Sequence, residues 1–530
     1  MTTSAVASRP TRREAAWIAT VAAVLLAAAW LLPPPFAGAA AVAAAGVYLA
    51  RGLLRRRETW LFLLVAVILF VPIRRYAIPV PLPFALEPYR VLVTLTLLVV
   101  VADLLVDPAF RWRPVRFGVP VAAFLATMAL SIVVNARSLS EGGLFGSAVG
   151  GFVNLLIAPI VLVVVRQLVR TRRVVTVLLT GLSWSGAVIG VAAIAERATH
   201  VNVFLKLGAV LPLELLRDVD VSLRAGGARA YGSAQHPIAL AVLLCMLLPI
   251  GVYLARYADW PRHPVNRRLF YAGVIALTML GLAAAISRTA VVVLGAMFLL
   301  AAVLRPQLAR LLFVVGVPVL LLGTLVSPKV VGTLVGSFLD PDALVASQYT
   351  SAGWTGAGRL ADLAPATALA LQHPFFGTGV GSRVVVGDDA NAFILDNQVL
   401  GTQLDAGAVG VLGLALLVLV PPVMLVRHAL RKDVPERDAM LAFALATSGV
   451  GYAAALFFYD AFGFLQTFLL LAILLAVGAW LITDAWRPRA RADAGVHAGG
   501  ADAVGPDPLG PDHVGPDPVA AGADAGARSR

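Results

Sequence analysis

The sequence predicts an all-α, polytopic membrane protein, on three observations. Hydrophobic residues are 60% of the 530 and charged residues only 13%, far from the roughly 25% charged of a soluble domain. Apolar runs of about twenty residues, long enough to cross a bilayer as helices, recur between Ala15 and Thr483. Arginines gather in every second connection between those runs, the charge pattern of a multi-pass chain.

A short basic segment, 1–14, comes first. About fourteen spans follow, near 15–33, 36–50, 58–73, 88–106, 117–134, 149–166, 174–195, 237–255, 269–286, 289–304, 311–326, 404–426, 438–459 and 461–483. The second and tenth are short, so twelve is the alternative count. One side of the membrane collects Arg9, Arg12 and Arg13, the Arg51–Arg57 cluster, Arg111, Arg113 and Arg116, and Arg166 to Arg173. It also receives Arg256, Arg262, Arg267, Arg268, Arg305, Arg310, Arg427, Arg431, Arg437 and Arg487 to Arg491. That side is the cytoplasm, which places both termini inside. The first span is not a cleavable signal, because further spans follow at once. The tail 486–530 repeats Gly-Pro-Asp at Gly505, Gly510 and Gly515. Such a composition cannot bury enough apolar surface to order itself, so a disordered cytoplasmic tail is expected, with docking of a partner as its functional alternative.

The net charge of +13 does not indicate nucleic acid, because it is dispersed over the cytoplasmic ends of spans. No cytoplasmic connection is long enough for a nucleotide-binding domain, and no Walker or Rossmann glycine pattern stands between strand and helix. The single cysteine, Cys245, lies in an apolar run and reads as a packed small residue without metal-ligand spacing. Only three of the 42 basic residues are lysines (Lys206, Lys329, Lys432), which points to a GC-rich bacterial genome.

Two large loops then face outside, about 196–236 and about 327–403, with a smaller proline-rich one at 74–87. Polar residues here are the candidates for chemistry. Arg229, in Arg229-Ala230-Tyr231-Gly232, stands before His236-Pro237 at a span entrance, at the depth of lipid head groups. Its forked, fixed charge suits a phosphate, and interfacial snorkelling is the structural alternative. Arg224 is a weaker candidate of the same kind. Ser287-Arg288 joins two apolar runs with almost nothing else between them. An arginine beside the membrane marks a functional site by default, or else bonds the last carbonyls of a helix. In the large loop, Leu363, Thr367 and Leu371 share a helical face, and Pro365 predicts that this helix starts close to it. Arg359 and Asp362 would then lie just ahead of its N-terminus. His373-Pro374 ends the helix, and Gly377 and Gly379 permit a tight turn. Asp396, before Asn397 and the next span, could serve as a general base or belong to an N-cap. Arg90 beside Glu87 reads as an interfacial ion pair with phosphate contact as the alternative. Tyr459-Asp460 reads most simply as an interfacial tyrosine and a helix cap.

Together these motifs resemble the O-antigen ligase and polymerase (Wzy/WaaL-like) superfamily of bacterial membrane glycosyltransferases, over roughly residues 70–480 with a core at about 196–460. Arg229 with Tyr231-Gly232 and His236-Pro237, Ser287-Arg288, and Arg359 followed by His373 to Gly379 each look like a family motif. The resemblance implies a cofactor- and metal-independent, inverting transfer of glycan from undecaprenyl diphosphate, on the outer face of the cytoplasmic membrane. The acceptor would be a glycan or lipid, and other polysaccharide-assembly proteins are expected partners. It assigns diphosphate contacts to Arg229, Arg288 and Arg359, with charge stabilisation by Arg288 and His236, His373, Arg224 and Arg90 as secondary candidates. Family ligases carry His, then Asn, Ser or Gln, nine residues and Gly-x-x-Gly. This chain keeps that frame to Gly407 and Gly410 but has Asp396 in place of the histidine, which favours polymerase-type transfer, with a ligase-like transfer using Asp396 as base as the alternative. A polyprenyl-linked glycan flippase or other transporter is the alternative; it would show an internal repeat, or broken helices with charges near the midplane.

Overall fold

The computed structural model describes residues 56–80, 85–218, 223–224, 227–326, 328–334, 359–384 and 395–485, besides scattered single positions. Eight described helices are long and apolar enough to cross a membrane. They are α2 (Pro88–Val106), α5 (Phe145–Leu168), α6 (Arg172–Thr199), α7 (Pro237–Tyr257), α8 (Pro264–Ala284), α13 (Gln398–Ala429), α14 (Glu436–Ala455) and α15 (Leu465–Thr483). Between them lie shorter helices: α1 (Arg57–Phe70), α3 (Gly118–Val134), α4 (Ala136–Glu141), α9 (Arg288–Leu304), α11 (Pro328–Leu334) and α12 (Arg359–Gln372). α10 (Pro306–Val326) follows α9 directly. The chain is a multi-pass, helical membrane protein. The expected spans 15–33 and 36–50 and the tail from 486 lie outside the described residues.

Helix boundaries follow local chemistry. Proline occupies a first helical position in α2, α7 and α8, where its missing N–H costs nothing. Thr171 caps α6 through Val174 N–H, at 3.3 Å. The helix expected to start near Pro365 begins earlier, at Arg359, and carries Pro365 inside it. One carbonyl loses its helical donor there, at a cost of about 3 kcal/mol.

α7 and α15 are apolar all round and buried on nearly every face, so they form the centre, while α2, α9 and α10 present apolar faces outward. α7 carries Cys245, fully buried as expected. α6 and α8 approach most closely at Gly190 and Gly281. A Cβ on either glycine would overlap the backbone of the other helix, so only small residues permit this crossing.

Arginines that the sequence assigns to one side meet at one end of the bundle. Arg57 pairs with Asp103 at 2.7 Å, and Arg172 grips Asp438 with both nitrogens at 2.6 and 2.9 Å. Arg166, fully buried, donates to Asp484 at 3.0 Å and Thr483 at 2.8 Å. The two ribbons, β1 (Tyr76–Ala77) with β2 (Glu214–Leu215) and β3 (Leu223–Arg224) with β4 (Gly227–Ala228), belong to loops at the opposite end.

Candidate functional site

Five connections converge at that opposite end. The segment before β1 reaches two of the others. Arg75 donates to the Gln235 carbonyl at 3.0 Å, and Arg74 to the Gly463 carbonyl at 3.2 Å. Glu87, buried, accepts from Arg74 N–H at 2.9 Å and pairs with Arg90 at 3.0 Å. Arg90 also donates to Asn154 at 3.0 Å. Its predicted pairing with Glu87 is therefore present, and it braces α2 against α5.

The Arg229 loop is built from below by the end of α6. Glu196 accepts from the N–H groups of Tyr231 at 3.1 Å and Gly232 at 2.8 Å. Arg197 donates to the Ala228 carbonyl at 2.8 Å. Thus held, Ala230 N–H bonds the Ala284 carbonyl at 3.2 Å and Arg229 Nε bonds the Ala285 carbonyl at 3.0 Å. These carbonyls end α8, immediately before Ile286-Ser287-Arg288. Arg229 is buried, Ser287 is buried, and Arg288 opens α9 half-buried. Two arginines separated by 59 positions in sequence thus share one junction. Ile286 turns the chain there with a positive φ of 45°, a strained conformation for a β-branched residue and one that recurs at functional sites.

His236 is the N-cap of α7, its Nδ1 accepting from Ile238 N–H at 3.2 Å. Its ring stacks on Phe464, centroids 5.3 Å apart, and meets Tyr231 edge-on. It is an aromatic brace between the Arg229 loop and the turn 456–464. That turn is fixed to α13 as well: Gln398 N–H bonds the Leu456 and Tyr459 carbonyls, and Gln398 Oε1 accepts from Phe462 N–H at 2.8 Å. Tyr459 is buried rather than interfacial, its hydroxyl 2.9 Å from Thr467. Asp460 caps no helix; its Oδ1 accepts from Gly463 N–H at 2.8 Å, and the N-cap of α15 is Phe464.

The His373–Gly379 motif has a structural meaning that spacing alone does not reveal. α13 breaks at Gly407 (φ 63°, ψ −166°). The motif fills the break. Thr378 and Gly379 N–H groups bond the Leu404 and Asp405 carbonyls at 2.9 Å each, while Ala408 and Val409 N–H groups bond Pro374 and Phe375 carbonyls at 2.8 and 3.2 Å. His373 is exposed beside this seam. Asp396 is half-buried, one residue ahead of the true N-cap, Asn397, whose Oδ1 accepts from Leu400 N–H at 3.0 Å. The side chains of Arg224 and Arg359 lie outside the described residues, although their backbones sit in β3 and at the start of α12.

Sequence reasoning missed Arg383. It follows the Gly-x-Gly turn and pairs with Asp405, Nε to Oδ1 at 2.7 Å, just before the helix break. Asp405 and Asp460 hold the guanidinium in its charged form more firmly than usual, outweighing burial. The signal available was Asp405 itself, an acid inside an apolar run and therefore in need of a partner. Among the described residues, no three His, Cys, Asp or Glu side chains are grouped to hold a metal. Comparison with protein-family models and with curated proteins gives no match.

Proposed function

We propose that this protein transfers or polymerises undecaprenyl-diphosphate-linked glycan on the outer face of the bacterial cytoplasmic membrane. It acts as an inverting glycosyltransferase in a chain of about fourteen spans with cytoplasmic termini. The observation that carries the proposal is the meeting of Arg229 with the Ser287-Arg288 junction at the arginine-poor end of the bundle. Two fixed cations at head-group depth suit a diphosphate and stabilise its charge as it leaves. Arg359 is proposed as a third contact, and Asp396 as the base that takes the acceptor hydroxyl proton.

The break in α13 favours the second reading, a transporter, because such proteins use discontinuous helices. The length of helix below the break speaks against it. The 19 residues from Ala408 to Val426, ahead of the basic last turn at Arg427 and His428, rise about 28 Å at 1.5 Å each, close to the full hydrocarbon thickness of roughly 30 Å. A break one membrane-length above the cytoplasmic end supports a place for the Arg383–Asp405 pair near the membrane surface rather than the midplane.

The test is reconstitution of the full chain with a defined undecaprenyl-diphosphate oligosaccharide. New glycosidic bonds in wild type, lost in Arg288→Ala and Asp396→Ala, are the expected result. Transfer that survives both substitutions would remove these residues from the site. Carrier crossing the bilayer without bond formation would favour the flippase.

A further inference from the structure

We infer that the arginine-rich end of the bundle binds the head group of an anionic phospholipid, in a site formed by Arg111, Arg113 and Arg170 around Phe110. The inference does not depend on the transfer reading.

Most arginine pairs at this end are complete. Arg172 grips Asp438, Arg437 reaches Asp259, Arg431 pairs with Asp433 and Arg166 with Asp484. The connection between α2 and α3 differs. It folds onto the end of α5, where the Gln167 side chain accepts from Arg113 N–H at 2.8 Å and donates to the Arg113 carbonyl at 2.9 Å. Arg166 Nε donates to the Pro114 carbonyl at 3.2 Å. Arg170 donates to the carbonyls of Gln167 at 2.9 Å and Arg111 at 3.1 Å. Its guanidinium lies 3.6 Å from the centre of the Phe110 ring, which Arg57 approaches at 4.5 Å.

Charge does not balance there. Arg57 lies between Asp103 and Asp107, which leaves one negative charge over, and Asp484 offsets Arg166. Arg111, Arg113 and Arg170 have no carboxylate partner among the described residues, so two of their three positive charges stand uncompensated. Arg113 Nε is buried and meets no acceptor among the described residues, an unfavourable state for a charged donor. Burial, then the charges of Arg113, Arg57 and Arg166, hold the Arg170 guanidinium below its ordinary pKa, with Asp103 opposing. A phosphate among these side chains would accept from Arg113 Nε and relieve the repulsion.

Apolar surface beside the arginines selects a lipid over a free anion. Leu105 and Val106 end α2 with exposed side chains, and Val119 does the same at the start of α3. Trp112, between Arg111 and Arg113, is also exposed, and an indole in that setting sits at head-group level. Basic pockets between spans bind phospholipid head groups in this way, with acyl chains along the neighbouring helices.

The test is native mass spectrometry of the full chain in neutral detergent, titrated with phosphatidylglycerol or with phosphatidylcholine. Wild type should retain phosphatidylglycerol preferentially. An arginine at a membrane surface strengthens anionic-lipid binding ~5-fold, so Arg113→Gln/Arg170→Gln should weaken it ~25-fold. Arg268→Gln, an exposed arginine on α8, should leave it unchanged. Equal retention of the two lipids by wild type, or equal weakening by Arg268→Gln and the double variant, overturns the inference. Inorganic phosphate that displaces the lipid at equal concentration overturns it in favour of a free-anion site. If the double variant does not fold, Arg111→Gln decides: its side chain is exposed, and an affinity unchanged by its loss overturns the site.

Discussion

Replacing Gly407 by alanine probes the join between the His373 motif and the broken helix. The native φ of 63° and ψ of −166° belong to a region used almost only by glycine, and holding alanine there costs about 1–3 kcal/mol. The new Cβ would also overlap the Phe375 carbonyl and Phe376 nitrogen. Segment 374–376 must then retreat, giving up the bonds from Ala408 and Val409 N–H to Pro374 and Phe375, at 2.8 and 3.2 Å. At about 1 kcal/mol each, the expected total loss is about 3–5 kcal/mol. The assay is heat challenge of purified protein in nanodiscs, following the folded fraction by size-exclusion fluorescence. Gly273→Ala is the control. A Cβ there meets nothing within 4 Å, and alanine in a helix interior should stabilise by up to about 1 kcal/mol. Equal thermal resistance of the two variants would refute the claim that Gly407 forms the seam.

Other outcomes follow from the same contacts. Arg383→Ala and Asp405→Ala should each destabilise, and the double variant should be less harmful than their sum, with a coupling of about 0.5–3 kcal/mol in a double-mutant cycle; additive losses would mean that the pair does not act as a unit. Arg166→Ala should cost about 3–5 kcal/mol, because it strands Asp484 at the end of α15. The companion Arg166→Met/Asp484→Leu should recover much of that loss in the same heat challenge. Cys245 should resist a maleimide in the folded protein and react once it is denatured, since it is fully buried within α7; rapid native labelling would contradict the central position of that helix.

Much of the candidate site was legible only as separate pieces. Arg229, Ser287-Arg288 and His373–Gly379 stand out because polar residues are rare among apolar runs. What each does could not be read from spacing. Arg90 is engaged by Glu87 and Asn154, and His236 is a cap and stacking partner, roles set by neighbours distant in sequence. Tyr459 looked interfacial because it adjoins an acid between two spans, yet Thr467 takes its hydroxyl and the turn folds inward. Arg383 gave no motif at all; its importance comes from Asp405, 22 positions away.

By itself the sequence determined the material: helices, because backbone groups in lipid must bond within their own segment, and the segregation of arginines to alternate connections. Tertiary structure decided which interruptions meet. The end of α8 and the Arg229 loop are joined by carbonyls that the α8 terminus leaves open, and the break at Gly407 is closed by carbonyls and N–H groups from 374–379. The second pairing consists of backbone hydrogen bonds between distant segments, encoded only through Gly377 and Gly407, which let the chains come close enough to form them, while the first adds the Arg229 side chain to a single backbone bond.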